Sequence, residues 1–186
     1  TVPGSGGSHR RTPTLGLSVC VSPDGTKAAR INSKNTRMDD SITIWDLTSN
    51  QFLTNLPQAH GIMAMQFSPD SRLLAIGAED GELELWDVAK GQRVMAVETQ
   101  APGIHCLAFS PDGRRLISAS GGWDAVKLWD VGTRQELLTL AGTGSVLGQA
   151  RWSADGNVIL AGPRWQAWSA PSWEEIAAAE AKEAAK

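Results

Sequence analysis

An all-β fold of four consecutive four-stranded antiparallel units is the class this sequence predicts, and three observations predict it. Trp-Asp closes short alternating apolar runs at Trp45-Asp46, Trp86-Asp87 and Trp129-Asp130, and a degraded copy, Trp168-Ser169, follows at about the same interval. A second marker precedes each one: Ser22-Pro23-Asp24-Gly25, Ser68-Pro69-Asp70-Ser71, Ser110-Pro111-Asp112-Gly113 and Ser153-Ala154-Asp155-Gly156. Both markers share a period of roughly 40 to 45 residues, the signature of a tandem repeat. Between the markers apolar and polar residues alternate, the period of two that half-buried strands require. Function in such a chain belongs on a surface assembled from equivalent loops rather than in one buried cleft.

The elements follow in order. Residues 1–14 are Gly/Ser-rich and read as a linker. The first repeat, 15–56, carries a long connection at 32–40. In the second, 62–98, the runs 62–67, 73–77, 83–86 and 92–97 are strands, broken by the turns Ser68-Pro69-Asp70 and Glu79-Asp80-Gly81. The third, 104–140, repeats the order with strands at 104–109, 115–119, 126–129 and 135–140. Pro pre-sets the turn backbone, Asp caps it through its side chain, and Gly accepts positive φ. Trp at the end of the third strand supplies an apolar face for packing against the next sheet, and the Asp after it starts the turn into the fourth. The last repeat, 147–179, is the least regular. Its stretch 173–179 occupies a fourth-strand position but has helix-forming composition, with capping-box spacing at Ser172-Trp173-Glu174-Glu175. Both readings stay open, and 180–186 is an Ala/Glu/Lys tail.

Runs such as Leu107-Ala108-Phe109-Ser110-Pro111-Asp112-Gly113 and Val126-Lys127-Leu128-Trp129-Asp130, in register within one repeat, resemble the WD40 repeat family. The resemblance covers about residues 15–173 and implies four-stranded blades of a β-propeller. Four blades make half of an eight-bladed ring or part of a larger propeller, so the resemblance implies either a homodimer that closes the ring or missing blades of a longer parent. The Pro171-Ser172-Trp173-Glu174-Glu175-Ile176 ending resembles the C-terminal blades of bacterial WD40 proteins. Family members carry a Gly-His dipeptide whose His bonds to a Ser, the Trp and an Asp within the blade. Here the equivalent stretches read Gln58-Ala59, Gln100-Ala101 and Thr143-Gly144, and the Ser place is taken as Ile76 and Ala119. The expectation is blades without that polar network.

Composition excludes several function classes. A chain of 186 residues, 41% hydrophobic with formal net charge -3, has an ordinary globular composition. The cationic cluster Arg10-Arg11 beside His9 is too short to supply much phosphate affinity, so no nucleic-acid partner is expected. No apolar run approaches the roughly 20 residues needed to cross a bilayer, and no export signal leads the chain, which begins at Thr1. The expectations are no membrane partner and a cytoplasmic location, where Cys20 and Cys106 serve as buried structural thiols. His9, His60 and His105 form no metal pair or nucleophile-base arrangement, and Asp39-Asp40 and Glu79-Asp80 fall in turns. The Gly142-Thr143-Gly144-Ser145-Val146-Leu147-Gly148 run lacks the following helix that a phosphate loop needs. No catalytic residue, metal ligand or cofactor site is therefore assigned, and the chain reads as a non-enzyme.

The positive signal is loop placement. In WD40-like blades the connections between second and third strands share one face with the inter-blade connections, here 32–40, 79–81, 121–124 and 162–164. The first mixes donors, acceptors and Met38, a composition suited to protein contact. Arg37, Met38, Glu79, Trp123 and Arg164 are the candidate protein-binding residues, while Trp152 and Trp165 fall at core positions. The expected function is a protein-interaction scaffold, with self-association as the second reading and an enzyme with a site over the central channel as the third.

Overall fold

The computed structural model describes residues 19–32, 41–57, 61–99, 103–120, 126–140, 148–161 and 166–169, and every regular element among them is a strand. Blade 1 comprises β1 (Val19–Val21), β2 (Lys27–Asn32), β3 (Ser41–Asp46) and β4 (Gln51–Pro57). Blade 2 comprises β5 (Ile62–Phe67), β6 (Leu73–Ala78), β7 (Glu82–Asp87) and β8 (Gln92–Glu98). Blade 3 comprises β9 (Ile104–Phe109), β10 (Arg115–Ser120), β11 (Val126–Asp130) and β12 (Glu136–Leu140). Blade 4 has β13 (Ala150–Trp152), β14 (Val158–Ala161) and β15 (Gln166–Ser169) among the described residues, and the stretch 173–179 lies outside them. Each sheet is an antiparallel meander in chain order. First strands β1, β5, β9 and β13 pack side by side, which places them on the inside of the array and the fourth strands on its rim.

The Ser-Pro-Asp motif builds the turn between first and second strands in the same way four times. The Ser carbonyl accepts the N–H of Gly25, Ser71, Gly113 and Gly156 at 2.9 to 3.0 Å. Those residues have φ of 71, 60, 72 and 73°, the left-handed region that costs glycine nothing and serine a steric penalty. The Ser hydroxyl donates to the Asp two residues on and accepts the N–H of Lys27, Leu73, Arg115 or Val158, the residue that opens the second strand. Ser71 puts its hydroxyl to a further use: it accepts the Asp24 N–H of blade 1 at 3.1 Å.

Three apolar clusters form between neighbouring blades. One joins Ile42, Ile44 and Leu56 to Phe67, Leu74 and Trp86; the second joins Ala75, Leu83 and Leu85 to Phe109, Leu116 and Trp129; the third joins Ile117, Val126 and Leu128 to Ile159, with Trp152 and Trp168 against it. Trp86, Trp129 and Trp168 therefore pack back on the preceding sheet, where the expectation placed the ring on the next one. Trp86 and Trp129 retain 7% and 3% of their exposure, whereas Trp45, with no described sheet before it, retains 38%. Its ring meets Phe52 edge-on at 6.3 Å between centroids.

In blades 1, 2 and 3 the register between third and fourth strands slips at the Trp, so that Trp45, Trp86 and Trp129 face Phe52, Arg93 and Glu136. The slip leaves Leu53, Val94 and Leu137 as the extra residue on the outer strand, a bulge of the kind that adds local twist. Close approach between blades has a second device. At Gly77 a Cβ would stand 2.5 Å from Ile104 Cγ2 of the next blade, a distance that no side chain tolerates.

Candidate functional site

Burying an indole ring obliges its N–H to find an acceptor. In blade 3 Trp129 Nε1 donates to Ser118 Oγ at 2.9 Å, inside the blade. Ser118 pairs with Lys127 across β10 and β11, as Ile76 pairs with Glu84 across β6 and β7, so Ser118 is the true counterpart of Ile76. Choosing Ala119 misplaced that position by one residue, and the expectation that blade 3 lacks a Trp-Ser contact is corrected. Blade 2 has Ile76 there and moves the acceptor to the facing strand: Trp86 Nε1 donates to Glu84 Oε2 at 2.7 Å, and Arg93 holds Glu84 Oε1 at 2.5 Å. That contact raises the Arg93 guanidinium above its usual range. The corresponding pair in blade 3 is reversed in charge, with Lys127 Nζ 2.8 Å from Glu136. The signal for both acceptors was present in the sequence, in the Ser at a fixed distance from Ser-Pro-Asp and the Glu two residues before Trp on the same strand face.

Of the candidate protein-binding residues, Glu79 lies among the described residues; Arg37, Met38, Trp123 and Arg164 lie outside them, as do Trp165 and His60. Glu79 is half-buried in the β6–β7 turn. Its N–H donates to Gly61 O at 2.8 Å, and a Cβ at Gly103 would come within 3.2 Å of its carbonyl oxygen. Thr99 closes the same corner by donating its N–H and hydroxyl to Gly81 O at 3.0 and 2.8 Å. The turn thus ties together the entry points of two successive first strands, and Glu79 has a positional duty besides any contact it makes.

Along the inner strands β5, β9 and β13 runs an open groove of about 550 Å³, lined by Gln66, His105, Cys106, Gln149, Arg151 and Trp152 among others. Three of these six serve the blade joints. Gln66 Oε1 accepts the Phe109 N–H at 2.8 Å, Cys106 Sγ accepts the Ala150 N–H at 3.1 Å, and Trp152 Nε1 donates to Ala108 O at 2.9 Å. Arg115 stacks on the Trp152 ring at 5.3 Å from its centroid. Burial pushes both thiols up, Cys20 to about 11, as suits structural rather than reactive cysteines. His105 is a sheet-face residue of β9. Among the described residues no group of three or more His, Cys, Asp or Glu could hold a metal ion.

On the opposite face the carboxylates are committed to turns. Asp46 accepts from Thr48, Asp87 from the Lys90 N–H at 3.0 Å, and Asp130 from the Thr133 N–H at 2.6 Å. These bonds, led by the Thr48 hydroxyl for Asp46 and by the backbone amide for the other two, hold all three carboxyls below their usual range. Hydroxyls of Ser22 and Ser153 do the same for Asp24 and Asp155.

The family described as the anaphase-promoting complex subunit 4 WD40 domain matches residues 35–112. The chain is 33% identical over 132 residues to small ribosomal subunit protein RACK1y of Oryza sativa subsp. japonica, a match spanning 67% of this chain and 38% of that one. It is 30% identical over 138 residues to small ribosomal subunit protein RACK1 of Caenorhabditis elegans, spanning 67% and 41%. It is also 32% identical over 148 residues to human apoptotic protease-activating factor 1, spanning 75% and 11%. The chain belongs to the WD40 repeat family. It spans about two fifths of the length of the RACK1 proteins it matches, and these relatives are eukaryotic. Within the family frame, Trp45, Trp86, Trp129 and Trp168 with Asp46, Asp87 and Asp130 are the blade signature. The structure gives the two halves of that signature different work: Trp86, Trp129 and Trp168 seal the joint to the preceding blade, and Asp46, Asp87 and Asp130 cap the turn into the outer strand.

Proposed function

We propose that this WD40 chain is a non-catalytic scaffold that binds protein through the face bearing its β2–β3, β6–β7, β10–β11 and β14–β15 connections. The observation that carries the reading is the one long insertion, 32–40, in the β2–β3 connection, together with the out-of-pattern Trp123 in the β10–β11 connection. Names of matched relatives give support of a coarser kind. RACK1 is named as a small ribosomal subunit protein, and a relative 29% identical over 140 residues is named as eukaryotic translation initiation factor 3 subunit I. Arg37, Met38, Glu79, Trp123 and Arg164 supply the contacts, Trp and Arg being residue types enriched among binding anchors. Ring closure by a second copy is the second reading, favoured by the exposed end face of blade 1; it requires twice the 19.8 kDa of one chain in solution.

Affinity capture with the wild-type chain and with an Arg37→Ala/Trp123→Ala variant tests the face. Proteins held by the wild type and lost from a variant with unchanged circular dichroism support it; equal capture by both refutes it.

A further inference from the structure

Making the joints between blades 2, 3 and 4 leaves the groove along β5, β9 and β13 rich in donors. Gln66 turns its side-chain oxygen to the Phe109 N–H, so its amide nitrogen remains to donate. Cys106 Sγ and Trp152 Nε1 are occupied by the Ala150 N–H and the Ala108 carbonyl. His105, Gln149 and Arg151 line the same groove, and among the described residues their side chains make no hydrogen bond or ion pair. A guanidinium brings five N–H groups and no acceptor, and an imidazole keeps at least one N–H whether neutral or charged. Burial raises the Cys106 thiol while the Arg151 guanidinium pulls it back, which places that charge within reach of the groove wall. The acids are elsewhere: the chain carries 20 Asp and Glu against 17 Lys and Arg, and no Asp or Glu is among the described residues that line the groove.

His105 owes its place to a bulge. On β10, Ser120 pairs with Ile104 and Ala119 with Cys106, so His105 is the extra residue of β9, the first and innermost strand of blade 3. A bulge re-aims the side chain it carries. Met63 is the extra residue of β5 in the same way, and Gly148 stands at the matching distance before Ser153. A Cβ on Gly148 would meet nothing within 4 Å, so the space beside it is open. The repeat thus accepts Met, His or Gly at this place, and folding alone does not ask for the imidazole.

A volume of about 550 Å³ holds a short occupant, and the open side leaves one flank of that occupant in water. An extended chain suits such a site, because its outward side chains and backbone stay hydrated; a small molecule binds where most of its surface is enclosed. We propose that this groove is a binding site for an acidic peptide segment of a partner protein, whose carboxylates are taken by Arg151 and His105 and whose backbone carbonyls are taken by the Gln66 and Gln149 amides. None of Arg37, Met38, Glu79, Trp123 and Arg164 lines the groove, so the claim stands apart from the connection face.

Fluorescence anisotropy of labelled hexaglutamate, titrated with the whole chain, tests it, with labelled hexalysine and unlabelled glutarate as the second and third probes. The wild type should bind hexaglutamate at least about tenfold more tightly than hexalysine, and the affinity should fall as salt rises. Arg151→Glu should weaken hexaglutamate about tenfold and His105→Ala about threefold, while Arg151→Lys should keep most of the affinity. Arg72→Glu, at an exposed arginine outside the groove, should change it by less than about twofold. Arg151 is exposed, and circular dichroism verifies that each variant is folded. Absent binding of hexaglutamate, equal binding of the two hexapeptides, no loss with Arg151→Glu, or as large a loss with Arg72→Glu overturns the proposal. Displacement of hexaglutamate by glutarate at equal carboxylate concentration overturns the assignment to a peptide.

Discussion

Trp45 and Trp129 occupy the same place in their blades, at the same register slip, before the same turn-capping Asp, and live in different surroundings. Trp129 is sealed by blade 2 and hydrogen-bonded to Ser118; Trp45 stands on a face that no described sheet covers, with Phe52 at its edge. The difference teaches that the repeated Trp is a joint residue rather than a core residue of its own sheet. Its value to folding is set by the neighbour, which the local sequence does not report. Trp86 adds a second lesson: once the ring is buried, the acceptor for its N–H is interchangeable, a Ser on the second strand in blade 3 and a Glu on the third in blade 2.

The comparison breaks first at the ring itself. Trp129→Ala should cost about 3–5 kcal/mol in urea unfolding, the range for deleting a buried aromatic. Glu84→Ala comes next, at about 1–3 kcal/mol, because it leaves the buried Trp86 N–H without its acceptor. Ser118→Ala likewise leaves the buried Trp129 N–H without its acceptor and should cost about 1–3 kcal/mol, below Glu84→Ala because no charged partner is lost with it. A larger loss for Ser118→Ala than for Glu84→Ala would show that the two solutions are not equivalent. Acid should act on the turn carboxylates of all blades together. Asp46, Asp87, Asp130, Asp24 and Asp155 have depressed folded-state pKa values, so their contribution is fully present above the unfolded-chain value of about 4 and is lost as pH falls through the folded values. The urea midpoint should hold level from about pH 7 to about pH 5 and then decline, and a midpoint that rises on acidification contradicts the turn assignments.

Much of the fold was legible because its signals are local. Ser-Pro-Asp followed by Gly writes a complete turn within four residues, and Ser71 shows the turn surviving without Gly at a positive φ of 60°. Alternation between turns then fixed the strands and the meander. The bulge at each Trp was not legible, since nothing in Leu53, Val94 or Leu137 marks an extra residue; it arises from pairing across β3–β4, β7–β8 and β11–β12. The direction in which Trp packs was misread for the same reason, because it depends on how one sheet stacks on another. Ser118 stands at the same distance from Ser110 as Ile76 does from Ser68, a local spacing that places the acceptor one residue before Ala119. For the candidate site, topology located the connection face, but of the residues chosen on it the structure describes Glu79 alone, and gives it a structural bond to Gly61.

The most direct measurement of the joint account is the stability of Trp45→Ala beside that of Trp129→Ala, by urea unfolding of the whole chain under one set of conditions. The account predicts a loss of about 1–2 kcal/mol for Trp45, from its edge contact and partial burial, against about 3–5 kcal/mol for Trp129. Equal losses at the two positions would contradict it and make the repeated Trp a residue of its own sheet.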